Sequence, residues 1–365
     1  MNPVTLIDRY ITREIFKVFI AIIVILLLVL VGGSFVKLLQ LAAEGDIANE
    51  VVFNLLGLEI LRLGGRLIPP AFFFATLFVL GRMYRDNEMM VLATAGIGPA
   101  RIYRLVMLLA VPMALVTVWL SVFLYPSISY LTNRIKLEQK DAVIVAAMDA
   151  GRFIESNRGD IVLYAESRSE DKSTLTNVFV QHRQKGKVAI ATAASGSHHR
   201  DEESGLRVVT MDDGLRYEGN IGKPEMTVVE FGDYSMWINP GDTTDIRKRY
   251  STWATSALWQ EKSLKASAEL QKRFSYPLAL IAFALLAVPL SRSMPREGVY
   301  GQVVLAILVY LMASGLSQVA STWMLKGVTP RWMGTWWVVA LMLVLALFLA
   351  RRDLAHGLRG RGRPA

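Results

Sequence analysis

Three charged residues interrupt an apolar stretch of the chain, residues 51–81. Glu59, Arg62 and Arg66 stand at i, i+3 and i+7, a spacing that places them on one face of a helix. A charge at membrane depth is costly and usually faces a protein interior or an aqueous cavity. Glu59 and Arg62 can neutralise each other. Arg66 then has no local partner and suits an anionic ligand, for which a phosphorylated lipid headgroup is one candidate.

A single lysine, Lys37, follows the first apolar stretch of the chain. Its position is compatible with the same anionic site. A lone lysine that snorkels to the membrane surface explains the position equally well, so both interpretations stay open.

A short helix is predicted just after the second apolar stretch, over residues 86–95. Asp86 or Asn87 is able to cap it, and glycines and a proline follow it. Glu88 falls in the first turn, and Met89 and Met90 are adaptable side chains of the kind used at protein contacts. We interpret Glu88, Met89 and Met90 as a contact for a partner protein. A helix lying on the lipid surface, or packed on its own bundle, is the alternative.

Motifs for catalysis or nucleotide binding are absent from the sequence. It has no P-loop, no H-E-x-x-H, no G-x-S-x-G and no paired metal-ligand spacing. The lack of cysteine excludes disulfides, cysteine nucleophiles and cysteine-ligated metals. His198 and His199 are interpreted as part of a solvated hairpin tip at 197–203. We therefore predict that the chain is not an enzyme, binds no cofactor or metal, and depends on a partner for energy.

The elements that position these residues are predicted to be membrane helices. Of the 365 residues, 53% are hydrophobic and 19% charged, with a mean hydropathy of +0.37, which is too apolar for an ordinary soluble protein. A bilayer core of roughly 30 Å needs about 20 apolar residues in a helix. Six stretches are candidates: 18–36, 51–81, 105–125, 274–291, 298–325 and 332–350.

The distribution of lysine and arginine predicts the orientation. Both termini and the loops after the second and fourth stretches are rich in arginine, whereas the opposite short flanks carry only Lys37, Lys326 and Arg331. Positive residues concentrate on the cytoplasmic side, so both termini are predicted to be cytoplasmic. The net charge of +9 is accordingly ascribed to membrane flanks and not to nucleic-acid binding. The first stretch is long and has no small-residue cleavage site, so no cleaved signal peptide is expected.

A polar insert, residues 126–272, separates three predicted helices from the other three and is predicted to be an outer all-β domain. Strand patterns lie at 152–155, 161–167, 175–182, 188–193, 206–211, 215–218 and 226–231, and turn-forming residues cluster at 156–160, 212–214 and 239–242. This spacing is typical of a sandwich or barrel. A helical pattern returns at 256–271. The predicted domains are therefore 1–125, 126–272 and 273–365, giving a six-helix membrane bundle with an inserted β domain.

Several short strings occur in the order found in a known family. They are RYITRE at 9–14, GDI at 45–47, GRMYRDNEM at 81–89, TAG at 94–96, GLRYEG at 214–219, VPLS at 288–291 and PREG at 295–298. With these strings and its arrangement of three spans, a β domain and three spans, the chain resembles the lipopolysaccharide export permeases, the LptF/LptG family. The resemblance covers nearly the whole chain, and the last two strings favour the LptF branch.

The resemblance implies a function and a set of partners. Such permeases take lipopolysaccharide from the outer leaflet of the inner membrane of Gram-negative bacteria and pass it to a periplasmic bridge. It implies an LptG-like permease subunit, an LptB-like ATPase dimer that uses the ATP, an LptC-like single-span protein and an LptA-like bridge. It also implies that the β domain is a jellyroll whose apolar groove receives acyl chains, for which strand alternation indicates Ile161, Leu163 and Phe179.

Two residues take roles directly from the resemblance. Glu88 occupies the position of the coupling-helix glutamate that contacts the ATPase, and Lys37 that of a basic residue beside the outer end of the first span. Some members have a second basic residue one helical turn earlier, where this chain has Ser34. We infer from this departure that phosphate recognition shifts to Arg62 and Arg66.

Other kinds of membrane protein fit parts of the pattern. Lipoprotein-release and macrolide-type ABC permeases typically have four spans with the outer domain after the first, whereas three spans precede the insert here. A membrane-anchored periplasmic adaptor needs neither charges in the second span nor the Glu88 helix. The missing motifs argue against a membrane hydrolase. Another lipid or lipoprotein export permease and an adaptor are therefore the alternatives.

Overall fold

The computed structural model describes residues 6–43, 47–149, 151, 153–155, 161–168, 174–184, 187–200, 207–220, 226–238, 249–292 and 299–359. Its helices are α1 Leu6–Ala43, α2 Asn49–Arg85, α3 Glu88–Thr94, α4 Pro99–Trp119, α5 Tyr125–Asp149, α6 Thr255–Gln260, α7 Leu264–Leu290, α8 Val299–Leu325 and α9 Trp336–Arg359. Its strands are β1 Ile154–Glu155, β2 Ile161–Arg168, β3 Thr174–Gln184, β4 Lys187–Arg200, β5 Arg207–Asn220 and β6 Met226–Ile238. A π-helical segment, Leu120–Leu124, joins α4 to α5, and a 3-10 turn covers Tyr250–Thr252.

Among the described residues, five helices are long and apolar enough to cross a bilayer. They are α1, α2, the continuous run Pro99–Gln139, α7 and the part Val303–Leu325 of α8. The sixth predicted stretch, 332–350, becomes helical only at Trp336, because turns that include Gly334 at a φ of 37° precede it. Residues 336–350 then form its apolar part, which is shorter than the about 20 residues of a full span.

Helix α2 continues through two adjacent prolines, Pro69 and Pro70. A proline inside a helix removes a backbone hydrogen bond and clashes with the preceding turn, which normally bends or ends the helix. Residues 67–73 are all buried, so neighbouring helices enclose this part of α2 from every side. Packing therefore maintains a helix that local propensity disfavours.

Two apolar clusters pack on opposite sides of α2. Phe72 belongs to a cluster with Ile11 of α1, and Phe73 to a second cluster with Phe283 of α7. The rings of Phe73 and Phe283 lie 4.9 Å apart between centroids. Fully buried alanines, including Ala75 and Ala287, let the helices approach closely, as small residues do in membrane bundles.

The helix after the third apolar stretch extends well beyond the predicted boundary. The β domain was expected from residue 126, but α5 continues to Asp149 and the first described strand begins at Ile154. The predicted helix at 256–271 is divided into α6 and α7. Ser263 causes the division because its Oγ accepts a hydrogen bond from the Ala266 backbone N–H at 3.2 Å and caps α7.

The six strands form one antiparallel sheet in chain order, β1 to β6. The strands predicted at 206–211 and 215–218 are a single strand, so the predicted turn at 212–214 is wrong. Asp213 lies inside β5 with a φ of 49°, a left-handed conformation that Asp tolerates, and the strand continues on both sides of it. The turns predicted at 156–160 and 239–242 lie outside the described residues.

A row of residues crosses the sheet where the inside and outside alternation reverses. Register aligns Glu166, Asn177, Ala194, Asp213 and Gly232 across β2 to β6. On β3, Leu175 and Val178 are both buried while the two residues between them are exposed, and Asn177 has a φ of 47°. Two consecutive outward residues keep apolar side chains on the same face on both sides of the row. We call this row the crease.

The chain divides into two compact units. One contains residues 1–38, 53–132 and 249–365 and is helical; the other contains 39–52 and 133–248 and includes the whole sheet. The sheet has its own apolar cluster, which includes Leu163, Val180 and Met211. What the described strands establish is an antiparallel sheet, while the jellyroll stays a prediction.

Candidate functional site

A polar cavity lies in the helical unit between α2, the α4–α5 junction and α7. Its volume is about 230 Å³. The polar and charged side chains that line it are Glu59, Arg62, Arg66, Ser121, Tyr125, Glu269, Lys272, Arg273 and Tyr276. Gly65 allows α2 to come this close, since a Cβ there would lie 3.2 Å from the Cβ of Leu120.

Two ion pairs occupy part of the cavity wall. Nη2 of Arg62 lies 2.6 Å from Oε1 of Glu59, so the pairing left open by the sequence is formed. Nε of Arg273 lies 3.4 Å from Oε1 of Glu269. Both pairs join residues of the same helix and therefore neutralise charge locally.

Two further cations, Arg66 and Lys272, complete the wall without such a partner. In the described part of the chain, no carboxylate lies within 4 Å of either cation. Four cations thus face two carboxylates, a net charge of +2. Arg66 and Lys272 are both exposed, so the cavity opens to the outside at these cations. An excess of positive charge in a small cavity favours an anion with more than one negative charge.

Arg273 is the most enclosed cation, with a relative exposure of 1%. Its Nη1 donates to Thr255 Oγ1 at 2.8 Å, and its Nη2 donates to the carbonyls of Tyr250 and Ser251 at 3.3 and 3.2 Å. The guanidinium also lies 5.8 Å from the centroid of the Tyr125 ring. A buried cation with this many acceptors is fixed in place, so Arg273 shapes the cavity and holds the segment before α6.

Only two of the three predicted phosphate ligands line the cavity. Arg62 and Arg66 line the cavity, but Lys37 does not: it is an exposed residue of α1. Sequence reasoning missed Lys272 and Arg273. In the sequence they are two adjacent cations just before the apolar stretch 274–291. Such a pair is equally typical of residues that flank a membrane span, so it does not by itself indicate a cavity.

The predicted contact helix exists as α3, with left-handed backbone on both sides. Asn87 has a φ of 60° and Gly96 a φ of 87°. Met89 is buried at 7% exposure in the bundle's own core, whereas Met90 is 66% exposed. Glu88 is half-buried, and its Oε2 accepts a hydrogen bond from the Tyr10 hydroxyl at 3.4 Å. The two predicted contact methionines therefore point in different directions, because adjacent helical residues do not share a face.

Two of the arginines that predicted the orientation, Arg82 and Arg292, form ion pairs with carboxylates of other helices. Arg82 Nη1 lies 3.2 Å from Glu14 Oε1. Arg292 Nη1 lies 3.0 Å from one oxygen of Asp353, and the Tyr103 hydroxyl donates to the other at 3.1 Å. The arginines that predicted the orientation thus also connect α1, α2, α4, α9 and the end of α7.

The predicted acyl-chain residues do not share one face of the sheet. Leu163 is opposite Val180 and is buried in the apolar cluster, while Phe179 is opposite Tyr164. Directly opposed residues of antiparallel strands point to the same side, so Leu163 and Phe179 point to opposite sides. Ile161 begins β2, and its side chain lies outside the described part of the structure.

Comparison with known proteins identifies the family. The sequence model described as lipopolysaccharide export system permease LptF/LptG matches residues 9–352. The chain belongs to this family. It is 30% identical over 353 residues to the lipopolysaccharide export system permease protein LptF of Escherichia coli strain K12, with 94% of each chain covered. Identity and coverage are the same for the protein of that name from Shigella flexneri.

The match to the LptF/LptG family covers both compact units. Residues 9–352 contain the whole cavity lining, α3 and every strand of the sheet. This LptF/LptG family member has no group of three or more metal-binding side chains among its described residues. His198 and His199 lie in β4, paired with Val209 and Val208, and not in a loop.

Proposed function

We propose that this LptF/LptG family member is a permease subunit for lipopolysaccharide export. One observation carries the proposal: the family match runs from residue 9 to residue 352 and so includes the helical bundle and the sheet together. A shared fold alone does not define function. Similarity over 94% of a relative named for this activity extends to the residues of the cavity and of α3.

The bundle then crosses the inner membrane six times, with α9 as the sixth span. Residues 336–350 are short for a span, but Arg351 and Arg352 follow them and can extend their charged ends to the membrane surface. Both termini lie in the cytoplasm. The sheet forms a periplasmic jellyroll-like domain.

The length of α2 supports an outer position for the cavity. Arg66 and Asp86 are 20 residues apart, and at 1.5 Å per residue this corresponds to about 30 Å of helix. The hydrocarbon core of a bilayer is also roughly 30 Å thick. If Asp86 and α3 are at the cytoplasmic surface, Arg66 and the cavity reach the level of the outer headgroups.

The cavity binds a phosphate group of the exported lipid. Arg66 and Lys272 supply the charge that is not neutralised, while Arg62 and Arg273 are held by their own carboxylates. A water molecule takes about 30 Å³ of liquid volume, so a space of about 230 Å³ accommodates a phosphate with a few waters but no set of acyl chains. Lys37, outside the cavity, serves as a further basic contact for the headgroup.

The ATPase contacts α3 through Glu88 and Met90. Met90 is exposed and Glu88 is half-buried, so both are open to a partner. Met89 does not contact the ATPase. Its side chain is buried in the core of the bundle and attaches α3 to it. A push on α3 by an LptB-like ATPase dimer would then be passed to α2 and α4. The chain itself binds no cofactor, and the partner hydrolyses the ATP.

Acyl chains follow the buried face of the sheet that contains Leu163. Small side chains, among them Ala165, Ala191 and Ala193, form much of this face, so an acyl chain meets little steric hindrance there. Phe179 lies on the other face, opposite Tyr164, and does not contact the acyl chains. Extraction of acyl chains from the bilayer is uphill by about 0.8 kcal/mol per CH₂, which is why the process needs ATP.

Strand β6, which lies at the edge of the sheet among the described strands, offers a place for the periplasmic partners. It has 13 residues, and Val228 and Val229 are 55% and 46% exposed. An exposed edge presents unpaired backbone groups and pairs readily with a strand of another chain. An LptC-like or LptA-like protein adding a strand at β6 would continue the apolar face towards the outer membrane, and an LptG-like subunit pairs with the bundle.

Purification of the complex from native membranes tests the function. We expect an ATPase, a second permease subunit and lipopolysaccharide to co-purify with the wild-type chain. Glu88→Ala should lose the ATPase and keep the lipid, while Glu138→Ala, in an exposed ion pair on α5, should keep both. Co-purification of an ATPase with a different lipid, or of a lipoprotein, would reject lipopolysaccharide as the substrate.

A further inference from the structure

Two apolar clefts flank one exposed tryptophan of the short helix α6. Leu258 is fully buried against the bundle, while its neighbour Trp259 is 70% exposed. The first cleft, of about 690 Å³, is lined by Phe123 and Tyr130 among others. The second, of about 590 Å³, lies between Trp259 and the side chains of Phe274, Trp332 and Trp336. Clefts of this size fall in the range of small-molecule sites.

Two arginines hold α6 against the bundle from its two ends. Before the helix, Arg273 donates to Thr255 Oγ1 and to the carbonyl of Tyr250. After it, Arg331 donates to the carbonyls of Glu261 and Lys262 at 3.0 and 3.2 Å. The position of Trp259 between the clefts is therefore fixed by hydrogen bonds at both ends of α6.

A second set of bonds fixes the far wall of the second cleft. Gln271 accepts from the Thr335 backbone N–H at 2.7 Å and donates to the Arg331 carbonyl at 2.8 Å. The backbone at Gly334 has a φ of 37°, which favours glycine, and a Cβ there would also meet the amide of Gln271. The turn that carries Trp332 is thus attached to α7, and the cleft is preformed.

The clefts continue the apolar surface of the bundle. Phe274 lies on α7, which is apolar enough to span a bilayer, and Trp336 begins α9. Trp332 is 79% exposed. Tryptophans are enriched at the level of lipid headgroups because the ring is apolar and its N–H is polar. For an exposed apolar patch of this kind, at the end of apolar helices, we expect contact with lipid.

We propose that the clefts on either side of Trp259 bind the two acyl chains of a bilayer phospholipid. Lys262 and Lys265 are both exposed and follow Trp259 within six residues, between the end of α6 and the first turn of α7. Their charges complement the negative phosphodiester of such a lipid. Arg331 is already engaged with carbonyls, and the unneutralised cations Arg66 and Lys272 line the other cavity, not these clefts. The proposal goes beyond the export function and requires only that the chain spans a bilayer.

Native mass spectrometry of the intact complex tests the proposal. The complex is released from vesicles of phosphatidylethanolamine and phosphatidylglycerol, and retained lipids are identified by mass. Trp259→Ala should lower phospholipid retention about tenfold, since the loss of contacts with about two methylenes has this effect. Trp119→Ala is the matched control: Trp119 is 54% exposed but lines neither cleft, so its variant should retain lipid as the wild type does.

A second measurement identifies what touches Trp259 in the bilayer. Phospholipids brominated on their acyl chains should quench the emission that is lost in Trp259→Phe. Equal retention by Trp259→Ala and the wild type, or an unquenched Trp259, would overturn the proposal. So would loss of lipopolysaccharide in place of phospholipid, or cross-linking of a photoreactive residue at 259 to a protein subunit. If export of lipopolysaccharide fails in the wild type while these results hold, only the proposed function is rejected.

Discussion

Asp8 and Arg101 form a two-point ion pair between the first turns of α1 and α4. Nε of Arg101 lies 2.9 Å from Oδ1 of Asp8, and its Nη2 lies 2.8 Å from Oδ2. Asp8 is 8% exposed, so its charge is largely removed from water. The geometry is that of paired parallel hydrogen bonds, the strongest form of this contact, and it fixes the start of the chain beside α3.

Removal of the carboxylate should destabilise the α3 end of the bundle. Asp8→Ala removes the carboxylate that Arg101 binds at two points. We expect a lower unfolding temperature, with a smaller decrease than for a fully buried pair because Arg101 is partly exposed. Thermal unfolding in detergent measures it. Lys17→Ala removes an exposed pair with Glu14 and should change stability by less than about 0.5 kcal/mol. Strictly additive effects in a cycle of Asp8→Ala and Arg101→Ala would contradict the coupling.

Neutralisation of the cavity should weaken binding of the phosphorylated lipid. Arg66→Ala and Lys272→Ala each remove a charged hydrogen bond donor, and each should weaken binding about tenfold. Arg62→Ala should have a smaller effect, since Glu59 already neutralises Arg62. Titration of the purified complex with lipopolysaccharide and with its dephosphorylated form measures this.

The matched control for the cavity variants is Lys326→Ala. Lys326 is exposed at the end of α8 and should leave binding unchanged. An equal effect of Lys326 and Arg66 would mean that the lipid responds to overall charge and not to the cavity. Equal binding of the dephosphorylated lipid would likewise remove phosphate as the recognised group.

The two methionines of α3 should respond differently to the same substitution. Met90→Ala removes an exposed side chain and should reduce association with the ATPase several-fold with little change in stability. Met89→Ala leaves a cavity in the core and should lower the free energy of unfolding by about 2 kcal/mol or more. Co-purification of the ATPase and thermal unfolding separate these effects. The reverse pattern would place Met89 at the interface.

Gly214, next to the crease, and Gly232, within it, differ in the space available for a side chain. At Gly214 a Cβ would lie 2.3 Å from the carbonyl oxygen of Thr192 and 2.5 Å from the Phe231 ring, so Gly214→Ala should destabilise the sheet by about 2 kcal/mol. At Gly232 a Cβ would meet nothing within 4 Å. Gly232→Ala should therefore be nearly neutral. Urea unfolding of the full chain measures both, and equal losses would argue against the packing.

A charge on the edge strand should weaken contact with the periplasmic partners. Val228→Lys places a lysine on β6, where charge opposes pairing with another strand, and should reduce co-purification of an LptC-like protein several-fold. Ala194→Lys is the control, since Ala194 is exposed on the central strand β4. An equal reduction in both variants would indicate that the partner binds the face of the sheet and not its edge.

Sequence patterns predicted the elements whose cause is local. Five of the predicted apolar stretches correspond to helices with the length and hydropathy of a membrane span. They were predictable because a span requires one continuous run of about 20 apolar residues. The short helix after Asp86 and most strands lie near where turn-forming residues and alternation predicted them. Side-chain capping is not the cause at α3, since Asn87, which precedes it, makes no side-chain capping hydrogen bond. The spacing of Glu59, Arg62 and Arg66 was sufficient to put them on one face.

Tertiary contacts decided the features that these patterns could not. Asp212 to Gly214 have turn chemistry, yet strand pairing on both sides keeps them inside β5. The reversed alternation at the crease separates Leu163 from Phe179, and simple counting along β3 cannot detect it. The turn before α9 is held by a tertiary contact, since Gln271 Oε1 accepts a hydrogen bond from the Thr335 backbone N–H at 2.7 Å and α9 begins only at Trp336.

The sequence by itself determined a multi-span membrane protein with an inserted β region, and short strings in order indicated its family. Only the fold decided which cations of the cavity are not neutralised by a neighbouring carboxylate. Arg66 and Lys272 are separated by more than two hundred residues of sequence, and their meeting depends on how α2 packs on α7. Burial and distance between remote side chains set the charge of the cavity, and neither quantity is a property of a single segment.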